Sequence, residues 1–305
     1  MSAAASGQRA HRRAEALAGT LPPLLVQAER VAATVAQGVH GRRRIGMGES
    51  FWQFRHYQPG DATQRIDWRQ TGKSQGVFVR EFEWEASQSI WLWRDASPSM
   101  TYQSSRELPL KRERAELLLL ALAALLGRGG ERVALLGGEG LPATGRVNLA
   151  RIADALDRGH VGKGQSLPPA VPIPRHAELV LIGDFLSPLD EIDRALAGHA
   201  GRGVRGHLLQ VLDPAEQTLP FAGRVRFSGL EGEQEELVPR VESIRAAYVE
   251  RLEAHQAGLA ALTRAAGWTM ATHRTDRPPQ TALLALYAAL TQGGPGGPAR
   301  GPARG

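Results

Sequence analysis

The chain has 305 residues, 42% of them hydrophobic and 22% charged, enough for a sizeable core in one large α/β domain with an appendage or in two modest domains. It contains no cysteine, which excludes disulfides, thiolate zinc sites and cysteine nucleophiles, so any metal must sit on oxygen or imidazole. The formal net charge of +6 is carried by arginine, with Lys73, Lys111 and Lys163 the only lysines; acids are interspersed and the densest basic run, Arg42-Arg43-Arg44, is short, so nucleic-acid binding is not expected.

Residues 1–9 are expected to be disordered, and the small residues there, followed by His11-Arg12-Arg13, do not read as an apolar signal with a cleavage site. Leu24, Leu25, Ala28, Val31, Ala32 and Val35 recur at three and four, which predicts a helix over 21–35 entered through Pro22-Pro23. Residues 38–76, rich in Gly, Arg and aromatics, show no sustained period and read as an irregular region docked on a larger body. Alternation over 77–85 and the apolar run Ser89–Trp93 predict two strands, the second more deeply buried. Beyond them the pattern predicts helices over 107–127, 149–157, 189–200, 241–266 and 281–290, and strands over 132–136, 178–182, 205–212, 224–227, 236–238 and 268–273. The apolar run Leu117–Leu126 is about half the length that crosses a bilayer, so it reads as a buried helix and the protein as cytoplasmic, without a membrane role. The Gly/Pro/Arg tail 293–305 is again expected to be disordered. Strands alternating with helices imply an α/β fold, a mostly parallel sheet with helices on both faces. The expected division is a disordered stretch (1–9), an N-terminal helix, irregular block and β-hairpin (10–86), the α/β domain (87–292) and the tail (293–305).

In such sheets ligands bind beyond the carboxyl ends of the strands, at the switch point of the strand order. Two aspartates stand at predicted strand ends, Asp95 and Asp184. Asp95 opens Asp95-Ala96-Ser97-Pro98-Ser99, a D-x-S-x-S pattern directly after a buried strand. One carboxylate and two hydroxyls on such a turn can face a single point, and Mg²⁺ or Mn²⁺ suits them as a hard ion that prefers oxygen and keeps several waters. With neutral hydroxyls in place of carboxylates the ion would retain positive charge and an open position, and could accept a carboxylate from another molecule. By itself the pattern is also what turns and helix caps use.

This constellation resembles the metal-ion-dependent adhesion site of von Willebrand factor A domains, which have a Rossmann-like sheet. The resemblance rests on D-x-S-x-S after a strand, a long apolar helix behind it, and an aspartate ending a later central strand, Leu179-Val180-Leu181-Ile182-Gly183-Asp184. It implies Ser97 and Ser99 as direct ligands and Asp95 and Asp184 acting directly or through water. It also implies a loop threonine before a helix; Thr144 is the nearest candidate, although Arg146 follows it towards the helix.

A second block narrows the family. Gly46-Met47-Gly48-Glu49-Ser50-Phe51, Arg55-His56-Tyr57-Gln58-Pro59-Gly60-Asp61 and Arg65-Ile66-Asp67-Trp68-Arg69, followed by the strand pair leading into D-x-S-x-S, resemble the bacterial and archaeal domain of unknown function 58 (DUF58). Pro59-Gly60-Asp61 is a tight-turn signal, and Arg55, Asp61, Arg65, Asp67 and Arg69 read as a charged network anchored by Trp68. Many members are encoded beside AAA+ ATPases of the MoxR type, so the resemblance implies such a partner in the assembly or maturation of a complex; some members carry transmembrane helices, which this chain lacks.

The expected function is therefore a metal-dependent adaptor, not an enzyme, that captures an Asp or Glu side chain of a protein partner. Two alternatives are a metal-dependent phosphohydrolase with Asp95 as nucleophile, in which Ser97 stands where a second carboxylate usually serves as acid/base, and an Arg-rich nucleic-acid binder. Gln70-Thr71-Gly72-Lys73-Ser74 is no P-loop, since Asp67 stands where that motif needs glycine, and Gly46-Met47-Gly48 lacks the strand and third glycine of a dinucleotide site.

Overall fold

The computed structural model describes residues 23–39, 50–57, 66, 68–73, 76–83, 89–159, 162, 164–230 and 235–292. Helix α1 (Pro23–Val39) follows the expected apolar stripe and runs four residues further. Strand β1 (Ser50–His56) lies inside the block read as irregular, and pairs antiparallel with β2 (Phe78–Glu83). A register shift between Phe51 and Gln53 breaks the two-residue period that would have revealed β1. Between the two strands lies the short helix α2 (Trp68–Thr71), where Trp68 is 70% exposed and so is no buried anchor; Asp61, Arg65 and Asp67 of the proposed charged network lie outside the described residues.

The main sheet begins with β3 (Ser89–Arg94). Helix α3 (Lys111–Arg128) starts later than the apolar pattern suggests, because Pro109 precedes it and the Glu113 carboxylate accepts the Leu110 N–H at 3.2 Å, fixing the first turn. Then come β4 (Arg132–Leu135), α4 (Gly145–Asp157), β5 (Glu178–Gly183), α5 (Leu189–Ala200) and β6 (Arg205–Leu212). After β6 a short helix α6 (Pro214–Thr218), unmarked by any period, leads to the antiparallel pair β7 (Val225–Phe227) and β8 (Glu236–Val238). Helix α7 (Arg245–Ala265), strand β9 (Thr269–Arg274) and helix α8 (Pro279–Gln292) complete the described chain.

The five strands are all parallel in the order β4-β3-β5-β6-β9. Counted from β3, this is 2-1-3-4-5, and it reverses direction between β3 and β5, the place where doubly wound sheets open a crevice at their carboxyl ends. Alternate strand residues face two cores. Ile90, Leu92, Val180, Ile182, Leu209 and Val211 pack under α1, α3, α4 and α8. Trp93, Leu179, Leu181 and Leu208 pack under α5 and α7. The expected α/β layering with helices on both faces is what the chain adopts.

One polar cluster ties α3 to the end of β9. Arg114 donates to the Thr275 and Arg277 carbonyls (3.0 and 2.6 Å), and its Nη1 lies 3.0 Å from His273 Nε2. Burial, reinforced by the Arg114 charge, depresses the His273 pKa to about 4. An unfolded histidine takes its proton near 6.5, so this contribution to stability is complete above that pH and is lost as the pH falls towards 4. Stability should drop by about 2 kcal/mol between pH 7 and 5 from this group, and His273→Gln should flatten that limb in urea titrations; equal slopes for the two proteins would refute the assignment.

Candidate metal centre

Where β3 ends, the Asp95 N–H donates to the Ile182 carbonyl of β5 at 2.8 Å, which brings the two strand ends together. Their close approach needs a glycine: a Cβ on Gly183 would stand 2.7 Å from Asp95 Cβ and 3.0 Å from its Oδ2. The turn after Asp95 is set by Asp95 Oδ1, which accepts the Ser97 N–H (2.8 Å) and hydroxyl (2.5 Å). Pro98 then starts a single 3-10 turn, Pro98–Thr101, that presents Ser99. Ser97 Oγ and Ser99 Oγ are 2.9 Å apart, and Ser99 donates to Asp184 Oδ2 at 2.7 Å. Four of the five expected site residues, from two segments 85 positions apart, thus form one chain of contacts at the switch point.

Thr144 is not among them. Val133, the partner of Ile90 in the sheet, also bridges antiparallel to Ala143, so the chain has returned to the level of the start of β3 when Thr144 begins α4. That is roughly 16 Å along a strand from Asp95. Thr144 is exposed there, and Arg146 lies 3.8 Å from Glu29 of α1, away from the site.

Asp184 is followed by Phe185 at φ 49°, a left-handed backbone for a bulky residue. The conformation is held from both sides: Gln210 Nε2 donates to the Asp184 carbonyl at 2.9 Å and His255 Nε2 lies 2.7 Å from that of Phe185. The Phe185 ring is buried against Trp93 at 6.3 Å. The strained residue that follows a candidate ligand thus has dedicated partners for the backbone on either side of it, and the Asp184 carboxylate itself accepts the Leu186 N–H through Oδ1 at 3.3 Å.

Two further members were not legible as site residues. Lys111, on the first turn of α3, is fully buried, and its ammonium donates to Asp184 Oδ2 (2.9 Å) and Glu216 Oε1 (2.5 Å). Glu216 in turn accepts the Asp213 N–H through Oε2 at 2.7 Å, and Asp213 Oδ2 accepts the Ser104 N–H at 3.0 Å. A lysine at a helix start ordinarily reads as a solvated side chain, and there it opposes the helix dipole, so its position depends on these carboxylates. Burial lowers the Lys111 pKa, but Asp184 and Glu216 more than offset this and it lies above its usual value. Asp95, buried and beside the Asp184 charge, is pushed up to about 7 despite the Ser97 hydrogen bonds.

The donor set fits a hard divalent ion. Neighbouring ligands on an octahedral Mg²⁺ stand about 2.9 Å apart, the spacing that Ser97, Ser99 and Asp184 show. Asp95 Oδ2 is buried without a hydrogen-bond partner, and three carboxylates, Asp95, Asp184 and Glu216, face the single ammonium of Lys111, an excess of two negative charges at full ionisation. Among the described residues no group of three or more His, Cys, Asp or Glu side chains could hold a metal, so any ion here depends on the hydroxyls. A separate cavity of about 450 Å³ lies at the opposite end of the sheet, lined by Glu178, Arg205, His207 and Thr269 among others.

The family model described as "Protein of unknown function DUF58" matches residues 53–258. Uncharacterized protein Rv1480 of Mycobacterium tuberculosis and uncharacterized protein Mb1516 of Mycobacterium bovis are each 28% identical over 275 residues, 86% of this chain and 86% of theirs. Among solved structures, an aerotolerance-related membrane protein from Bacteroides fragilis aligns with a TM-score of 0.40 at 15% identity, over 67% of this chain and 99% of that one. The conserved hypothetical protein BatB from Bacteroides thetaiotaomicron aligns with a TM-score of 0.37 at 14% identity over the same shares. No helix among the described residues is long and apolar enough to cross a membrane.

Proposed function

The chain belongs to the DUF58 family, and we propose that it is a metal-dependent protein-binding adaptor with a von Willebrand factor A-like adhesion site at the carboxyl ends of β3 and β5. The observation that carries this reading is the convergence of Asp95, Ser97, Ser99 and Asp184 at the switch point of the sheet. When bound, Mg²⁺ or Mn²⁺ would supply a Lewis-acidic point for a partner's Asp or Glu carboxylate. The chain's own residues prepare that point. Asp95 orients the Ser97 hydroxyl; Ser97 and Ser99 offer neutral oxygens that leave the ion's charge unspent; Gly183 and the strained Phe185 hold the two aspartates at a fixed separation. Ser99 is half-buried and Pro98 and Leu186 beside it are exposed, which gives a partner side chain its approach.

The partner is a protein with an exposed acidic side chain, and we propose a MoxR-type AAA+ ATPase or its client, met in the cytoplasm during assembly or maturation of a complex. A binding role is favoured over the phosphohydrolase reading because Asp95 is 0% exposed with its Oδ1 engaged by Ser97, and Ser97 stands where such an enzyme usually places its second carboxylate. Isothermal titration with Mg²⁺ is expected to show binding to the wild type that weakens at least tenfold in Asp95→Ala and Ser97→Ala. Equal heats in all three proteins would sink the metal site, and turnover of a phosphoester by the same preparation would replace the adaptor with an enzyme.

A further inference from the structure

We propose that Lys111 is a built-in cation that holds the adhesion site closed without metal, and that a divalent ion enters by displacing its ammonium from Asp184 onto Glu216. This rests on the adhesion-site reading for where the ion sits, but it concerns a residue which that reading does not require.

Asp184 Oδ2 is a shared acceptor. It takes the Ser99 hydroxyl at 2.7 Å and the Lys111 ammonium at 2.9 Å. An ion bound at Ser99 and Asp184 would put a second positive charge on that same carboxylate, inside a buried site where like charges repel far more strongly than in water. The ammonium therefore competes with the ion for the carboxylate. It does not need to leave the interior to yield, because its second partner is already in place: Glu216 Oε1 at 2.5 Å. Glu216 is anchored independently of the lysine, through Oε2 on the Asp213 N–H at 2.7 Å and through its own carbonyl, which accepts the Tyr248 hydroxyl of α7 at 2.7 Å. Lys111 thus has one partner that an ion would claim and one that it would not.

The arrangement also specifies a path outward. Lys111 begins α3, and its N–H donates to the Tyr102 carbonyl at 3.2 Å. Two residues further along the same exposed loop, the Ser104 N–H is held by Asp213, the residue that positions Glu216. A shift of the ammonium towards Glu216 acts on the two anchors of the segment that follows Ser99. Ion loading is thereby coupled to the shape of the rim that a partner would meet, as a positional exchange within one hydrogen-bonded set.

The test uses the full chain and Mn²⁺, with free ion followed by electron paramagnetic resonance and Mg²⁺ followed by calorimetry. Lys111→Met keeps the apolar stem and removes the charge, and is expected to bind Mn²⁺ at least tenfold more tightly than the wild type. Lys111→Met combined with Glu216→Gln leaves the net charge of the site unchanged and guards against misfolding of the single variant; it too should bind more tightly than the wild type. Glu216→Gln alone removes the refuge and should bind more weakly. Equal affinity across all four proteins would overturn the role of Lys111 and leave the adhesion site standing. Binding in the lysine variants with none in the wild type would support the role of Lys111 and overturn metal-dependent adhesion for the native chain. No binding in any folded variant would overturn both.

Discussion

Lys111→Met is expected to cost the metal-free protein about 3–5 kcal/mol of folding stability, the range for stripping one partner from a buried ion pair. The estimate follows from burial: Lys111 is 0% exposed and its ammonium meets two carboxylates, Asp184 and Glu216, that have little water to turn to. Urea denaturation near neutral pH in the presence of a chelator measures the loss. Replacing Glu216 with glutamine in the same protein should recover part of it, because a charge no longer needs compensation. Mg²⁺ should recover more, since a ligand that binds only the folded state raises its stability in proportion to the logarithm of its concentration over its dissociation constant. A single variant within 1 kcal/mol of the wild type would show that the ammonium does not neutralise the site.

The second large effect is expected far from the site, at Gly206→Ala. A Cβ there would stand 1.9–2.3 Å from three atoms of the Trp268 indole, which lies flat against the β6 backbone where a side chain would otherwise be. The ring is 5% exposed and its Nε1 donates to the Val204 carbonyl at 3.0 Å, so it cannot tilt away without losing both its packing and a buried hydrogen bond. Expelling it should cost about 3–5 kcal/mol, comparable to deleting a buried aromatic side chain, with a change in near-ultraviolet circular dichroism as the reporter. Gly206 pairs with Leu179 at the amino end of the sheet, so the folded fraction should retain whatever metal binding the wild type shows. An unchanged melting temperature would mean that the indole has another place to go.

Local signals carried most of the site. Asp95, Ser97 and Ser99 sit on five consecutive residues after a buried strand, and Asp184 ends a strand that is buried at every position, so both could be read from pattern and punctuation. What depends on distant closure could not. Lys111 and Glu216 meet only because α3 and α6 both begin above the same sheet end, 105 residues apart in sequence. Thr144 shows the converse error: it has the right residue type in front of a helix, but the Val133–Ala143 bridge carries it to the other end of the sheet. Strand β1 went unseen because a bulge disrupts its alternation, and α7 begins four residues later than its apolar pattern because a 3-10 turn, Val241–Ser243, occupies the start.

Helix α1 changes how the molecule could be divided. Leu25, Ala28, Val31, Ala32 and Val35 are core residues packed with α3, α4 and α8, not the face of a detachable extension. Helix α3 has a continuous buried run from Leu118 to Leu126 and no solvent face along it. A fragment cut at residue 87 would keep every strand of the main sheet and the whole D-x-S-x-S turn, yet leave a greasy seam open to water along its longest apolar helix. Such a fragment is expected to self-associate, and supplying residues 23–39 as a separate peptide should restore it to a monodisperse species.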